Sequence, residues 1–194
     1  MAPLGSAPGR RLILVRHSDP ERRDEMPSAT WPLSRDGIAN ARAFASRVDP
    51  RSAQQIYTSE EPKATGTARV LADAWRLPVE TAQGLHEHER PEARILPRDV
   101  FRDRIRDLFA RPAELVYGAE TADQARRRFT AAVMRLIART SGDVIVVSHG
   151  TVITLFTAEA TGAEPFAFWG GLKMPCAVVL TIPELKLVEL VREG

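Results

Sequence analysis

The sequence predicts an α/β fold, a three-layer αβα sandwich built on a mostly parallel central sheet. Three observations predict it. Short aliphatic runs of strand length alternate with amphipathic stretches of helical period, the rhythm of parallel strands joined through helices. The two clearest runs, Arg11–Arg16 (RLILVR) and Asp143–Ser148 (DVIVVS), are apolar through their interiors, as strands covered on both faces are. The 194 residues suffice for one full core, and no repeat or linker divides them.

Each element has its own signal. Residues 1–10 are rich in Pro, Gly, Ala and Ser and lack the apolar centre of an export signal. They read as a flexible leader to one domain spanning 11–194. The strand 11–16 comes first, then a polar, Pro-containing loop, 18–32. Ser34 caps a helix running to about Val48, with Ile38, Ala41, Phe44, Ala45 and Val48 inward. Gln55–Ser59 is a second short strand, and Pro62 suits the first turn of a helix reaching about Trp75. The chain from Thr81 to Gly118 breaks the rhythm. It is expected to hold an irregular insert, about 84–118, over one end of the sheet, with one helix near 99–110. Thr121 and Gln124 form a capping box. The helix they open reaches about Arg139, with Ala125, Phe129, Ala132, Val133, Leu136 and Ile137 inward. After the strand ending at Ser148, a helix covers 151–161. Residues 177–182 and 185–191 read as two strands joined by a tight turn at Pro183–Glu184.

Composition excludes several classes. With 44% hydrophobic and 27% charged residues the chain is globular, not disordered. The net charge is only +2, and the arginines are interleaved with acids along several helices, so no nucleic-acid groove is expected. No apolar run approaches the roughly 20 residues of a membrane span. A single cysteine, Cys176, rules out a disulfide framework or cysteine-rich zinc site within the chain, and points to the reducing cytoplasm. Cys176 itself reads as a small core residue. The oligomeric state is left open.

The chemistry gathers at two strand ends. LVRHS (Leu14–Ser18) and VVSHG, ending at His149 and Gly150, each close a strand with a histidine and a small residue. Ligands of parallel α/β sheets bind outside the carboxyl ends of the strands, so His17 and His149 are placed to converge. The helix beginning at Thr151 directs its first amides to the same place and favours an anion. Arg16 adds a planar cationic fork suited to phosphate oxygens.

Five motifs in order, from about residue 11 to 160, resemble the histidine phosphatase superfamily, which includes the cofactor-dependent phosphoglycerate mutases. They are Arg16-His17-Ser18, Leu33–Ala41, Thr58–Ala68, Leu85-His86-Glu87 and Val147–Gly150. The resemblance is to the small phosphatase branch. It implies a phosphoglycerate mutase-like fold and a metal-independent phosphomonoesterase with no cofactor. His17 would be the nucleophile, and Arg16, Lys63, His149, Ser18 and Gly150 would surround the phosphoryl group. Glu87 would protonate the leaving oxygen, with Glu89 as the alternative acid. The partner implied is a small phosphorylated metabolite or a phosphoprotein. Mutase activity, or non-catalytic binding of a phosphate ligand, are the competing readings.

Three departures bear on this. Ser18 stands where the family has glycine, and Lys63 where it has arginine, giving charge without a bidentate fork. Arg23 stands where mutases usually carry asparagine. Arg22, Arg23, Arg90 and Arg94 flank the motif loops, either as solvated surface or as grips on the non-reacting part of an anionic substrate. Trp31 could wall the pocket. His86–Glu89 also reads as a metal-donor cluster, although no second cluster completes it. Arg126-Arg127-Arg128 reads as a solvated helix face.

Overall fold

The computed structural model describes residues 9–90 and 96–192. In chain order these form β1 (Arg11–Arg16), α1 (Arg35–Ala45), β2 (Ile56–Thr58), α2 (Pro62–Trp75), β3 (Val79–Thr81), α3 (Arg98–Ala110) and α4 (Ala122–Arg139). There follow β4 (Val144–Ser148), α5 (Gly150–Thr161), α6 (Pro165–Gly171), β5 (Cys176–Thr181) and β6 (Leu187–Arg192). The sheet order is β3-β2-β4-β1-β5-β6. Strands β1 to β4 run parallel, β5 is antiparallel to β1, and β6 is antiparallel to β5.

The layers follow from the two-residue period of a strand. Leu12 and Leu14 face one way, into a core shared with Ile105, Phe129, Val133 and Ile153 of α3, α4 and α5. Ile13 and Val15 face the other, against Phe44 of α1 and Ala64 and Leu71 of α2. Helices therefore cover both faces, as the sequence predicts. The capping box is formed: Thr121 Oγ1 accepts from Gln124 N at 3.1 Å, and Gln124 Oε1 accepts from Thr121 N at 2.8 Å. Cys176 is buried in the core. Among the described residues no helix is long and apolar enough to cross a membrane.

Several expectations shift. Ala41, Phe44, Ala45 and Val48 are buried as expected, but Ile38 is 38% exposed, because the stripe begins on Gly37 instead. Gly37 is required there: a Cβ would lie 2.1 Å from the Asp19 carbonyl oxygen, which accepts from both Ser34 N and Ser34 Oγ. The helix start thus pins the loop after β1. Helix α1 also ends at Ala45, short of Val48. The short edge strand β3 and helix α6 have no counterpart among the elements the sequence predicts. Arg10, assigned to the leader, is anchored: its guanidinium donates to the Ile137 carbonyl and to Gly142 O at 3.0 Å each, capping the end of α4. Residues 1–8 of the expected leader, and Arg94, lie outside the described residues.

Candidate active site

Register brings the two histidines together. Val15 lies opposite Val147 and Arg16 opposite Ser148, so β1 and β4 end at the same level. His17 N donates to Ser148 O at 2.9 Å. The next residue of each strand is the histidine, and the rings of His17 and His149 meet edge-on with centroids 5.1 Å apart. Both are buried. Strand β2 flanks β4 on its other side: Ser59 N donates to Val147 O at 3.0 Å, and Ser59 Oγ bonds His149 Nε2 at 2.8 Å.

Hydrogen bonding assigns the protons. His17 Nδ1 lies 2.7 Å from the Ser18 carbonyl oxygen. A carbonyl only accepts, so the proton sits on Nδ1 and the lone pair on Nε2. Burial pushes His17 well below the ordinary imidazole range, and the charges at His149, Lys63 and Arg16 push the same way. The ring is therefore neutral, with its free lone pair on Nε2. Burial, seconded by Lys63, also lowers His149, while Glu87 acts against both. Its Nε2 lies 3.4 Å from Glu61 Oε1. Its Nδ1 is buried without a partner among the described residues.

Arg16 lies across Gly150. A Cβ at 150 would come within 3.0 Å of Arg16 Cζ and Nε, so only glycine leaves the guanidinium its full space. One Nη of Arg16 donates to the Leu172 carbonyl, and its Nε is buried and unpaired among the described residues. Ser18 N donates to Thr67 Oγ1 at 3.0 Å, while Ser18 Oγ has no partner there. Unsatisfied buried donors are costly in an apolar interior. Arg16 and Ser18 flank His17 in the chain and His149 meets its ring, and the unpaired donors Arg16 Nε, Ser18 Oγ and His149 Nδ1 are of the kind that suits the oxygens of a tetrahedral anion.

The acid motif supplies the opposite wall. The Glu87 carboxylate accepts from Thr151 N at 3.1 Å and Val152 N at 3.3 Å, two of the free amides in the first turn of α5. Those amides, expected to face the ligand directly, are therefore held by Glu87. Burial opposes the charge on Glu87, but Arg90, His149 and the backbone amides outweigh it and hold the carboxyl well below the usual range. Arg90 approaches Glu87 at 3.4 Å and lies over the rings of Phe101 and Tyr117. Glu89 is half exposed and pairs with His86 at 3.2 Å. Of the two acids, Glu87 is the one whose charge acts on His149.

Three residues act in ways their local sequence did not signal. Lys63, expected at the phosphoryl group, donates to Glu61 Oε2 at 2.5 Å and to Ser28 O at 2.6 Å. Its charge still acts on both imidazoles. Glu61, unremarked in the sequence, joins the site: Oε2 takes Lys63, and Oε1 takes Glu87 N at 2.8 Å. Arg128 is not part of a solvated face. It donates to the carbonyls of Gly84, His86 and Glu87 at 2.9–3.1 Å and to Glu120 Oε1 at 2.5 Å, clamping the loop that carries Glu87. Arg127, by contrast, is exposed.

Other candidates lie elsewhere. Arg23 is exposed and pairs with Glu21. Trp31 turns its Nε1 to the carbonyls of Arg23 and Met26, closing its own loop. His88 is buried with Nε2 on the Glu120 carbonyl, away from His86. Among the described residues no three His, Cys, Asp or Glu side chains gather to hold a metal ion.

A model of the histidine phosphatase superfamily (branch 1) matches residues 12–186. The chain belongs to this superfamily. A curated relative, the adenosylcobalamin/alpha-ribazole phosphatase of Escherichia coli (strain K12), is 27% identical over 168 residues, covering 82% of this chain and 83% of its own. Among solved structures, mycobacterial hydrolase 1 superposes with a TM-score of 0.78 at 19% identity, over 96% of this chain and all of that one. A mycobacterial glucosyl-3-phosphoglycerate phosphatase gives 0.72 at 19%, over 89% and 90%. The superfamily fold expected from the five motifs is therefore the fold found. The phosphatase names agree with phosphomonoester hydrolysis as the class of activity.

Proposed function

We propose that this histidine phosphatase superfamily member hydrolyses a phosphomonoester through a phosphohistidine on His17, without metal or cofactor. The observation that carries it is a buried, neutral His17 with its lone pair on Nε2, its ring against His149 and within reach of the charges of Arg16 and Lys63. The substrate is a small phosphorylated metabolite or a phosphoprotein, and the setting is the cytoplasm. One domain over 11–194 carries the whole activity.

His17 Nε2 attacks phosphorus in line, the N–P bond forming as the ester P–O bond breaks. Arg16, Ser18 and His149 hold the equatorial oxygens, where charge spreads in phosphoryl transfer. His149 protonates as the anion arrives: Nδ1–H then points at a phosphate oxygen, and Nε2–H at Ser59 and Glu61. Lys63 adds charge from behind its partner Glu61. Glu87 gives the leaving oxygen its proton. Because Glu87 is ionised in the empty site, that proton enters with a monoanionic ester, whose charge raises the proton affinity of the carboxylate. In the second half, Glu87 takes a proton from water, the water oxygen attacks phosphorus, and inorganic phosphate leaves neutral His17.

The test is turnover of an aryl phosphate beside a panel of phosphorylated metabolites. The wild type releases phosphate, chelators change nothing, and His17→Ala is inactive. Loss of activity to a chelator with recovery on added zinc contradicts the proposal. Phosphate retained on the product, dependent on a bisphosphate primer, indicates a mutase. Binding without turnover or labelling indicates a non-catalytic phosphate receptor.

A further inference from the structure

Two cavities share residues with the candidate site, Glu61 and Glu87 in one and Arg16 in the other, and their charges are opposite. One, of about 530 Å³, has Glu60, Glu61, Glu87 and Glu89 in its lining against Arg90. The other, of about 550 Å³, has Arg16, Arg98, Arg102 and Lys173 against Asp19 alone. Asp19 is already engaged, accepting from Asn40 Nδ2 at 3.1 Å.

We propose that the second cavity seats a further anionic group, a carboxylate or second phosphate, on the alcohol half of the phosphomonoester. The proposal rests on the phosphatase reading and names the substrate class of that site. Arg98 and Arg102 stand four apart on α3 and share a helix face. Lys173 faces them from the connection between α6 and β5. Among the described residues none of these three has a carboxylate within ion-pair distance, and the guanidinium of Arg102 rests on the Phe166 ring at 5.0 Å. Phe101 and Trp169, with ring centroids 6.1 Å apart, give the cavity an apolar wall for a flat or hydrocarbon body. Like charges around one cavity repel each other, and a bound anion relieves that repulsion.

Arg16 belongs to both places, bordering His17 in the chain and lining this cavity. A substrate whose phosphoryl group meets Arg16 can therefore extend its other half toward α3. The acid-rich cavity repels the same anionic tail. The charge difference thus sets orientation as well as affinity.

The test compares phenyl phosphate, 4-carboxyphenyl phosphate and 1,4-phenylene bisphosphate. Exposed charge contacts are worth about 2- to 5-fold each, so three together predict a kcat/KM preference of roughly 10- to 100-fold for the anionic esters. The preference falls toward one in Arg98→Gln/Arg102→Gln/Lys173→Gln and shrinks in high salt. Comparing the carboxylate with the bisphosphate identifies which anion the cavity prefers. A wild-type ratio near one, or a ratio the triple variant leaves unchanged, overturns the proposal. Calorimetric binding of 4-carboxyphenylphosphonate against phenylphosphonate repeats the comparison without turnover. Charge preference in binding with no ester hydrolysed refutes the phosphatase reading and keeps this one. Absence of preference in binding overturns this one.

Discussion

Replacing Lys63 by Met exposes how the buried charges of the site are balanced. The Lys63 and Glu61 side chains are only 7% and 8% exposed, and their 2.5 Å contact is not screened by water. Removing one partner of a buried pair strands the other charge, at about 3–5 kcal/mol. For a chain of this length, with each kcal/mol worth about 2–4 °C, the melting point falls by roughly 6–20 °C. Glu61→Leu/Lys63→Met removes both charges. It leaves the Glu87 amide, which donated to Glu61 at 2.8 Å, without its acceptor, at about 1–3 kcal/mol. The double variant is therefore more stable than Lys63→Met alone. Denaturant unfolding of the wild type, both singles and the double measures the coupling directly. Additive effects across the cycle, or a Lys63→Met variant as stable as wild type, refute the pairing.

Gly150→Ala places a methyl 3.0 Å from the Arg16 guanidinium; we expect kcat/KM to fall about 10- to 100-fold while thermal stability holds or rises, since Ala favours a helix over Gly. A variant with unchanged kcat/KM contradicts the contact. Both site histidines sit below the ordinary imidazole value through burial, so they hold fewer protons folded than unfolded. Their contribution is complete above about pH 6.5 and is lost as pH falls through the folded values, at on the order of 1 kcal/mol per pH unit per ring. Denaturant midpoints measured from pH 7.5 to 5 should fall more steeply in the wild type than in His17→Asn; equal slopes reject the assignment. Glu87→Gln should lower kcat/KM, which reports the first half of the reaction, by about 10²–10⁴ for alkyl esters and far less for activated aryl esters, since good leaving groups need no proton. Equal losses on both reject Glu87 as the acid.

Much of this was legible because it is local. β1 and β4 carry uninterrupted aliphatic runs, and the Thr121–Gln124 box is a short-range signature. Both yielded their elements directly. So did the position of His17 and His149, since any parallel pair of strands aligned by register delivers its next residues to one edge. What failed to show was tertiary. Val79–Thr81 is three residues on the sheet edge, too short to display a period. Pro165–Gly171 contains two glycines and no helical stripe. Arg128 sits in a run of three arginines whose local pattern is that of a wet surface, and only the fold directs it onto three carbonyls of the Glu87 loop. Glu61 precedes Lys63 by two positions, and nothing in that spacing says the ammonium turns back to it instead of forward to phosphate. The helix α5 amides invited an anion, as expected, but the anion they hold is a side chain from the insert.

The most direct measurement is to quench the protein in the act with a ³²P-labelled ester and locate the label. The account predicts an acid-labile, base-stable phosphoryl group on His17, accumulating in Glu87→Gln with an activated aryl ester and absent in His17→Ala. Phosphate release by His17→Ala at the wild-type rate, or label on a residue other than His17, contradicts it.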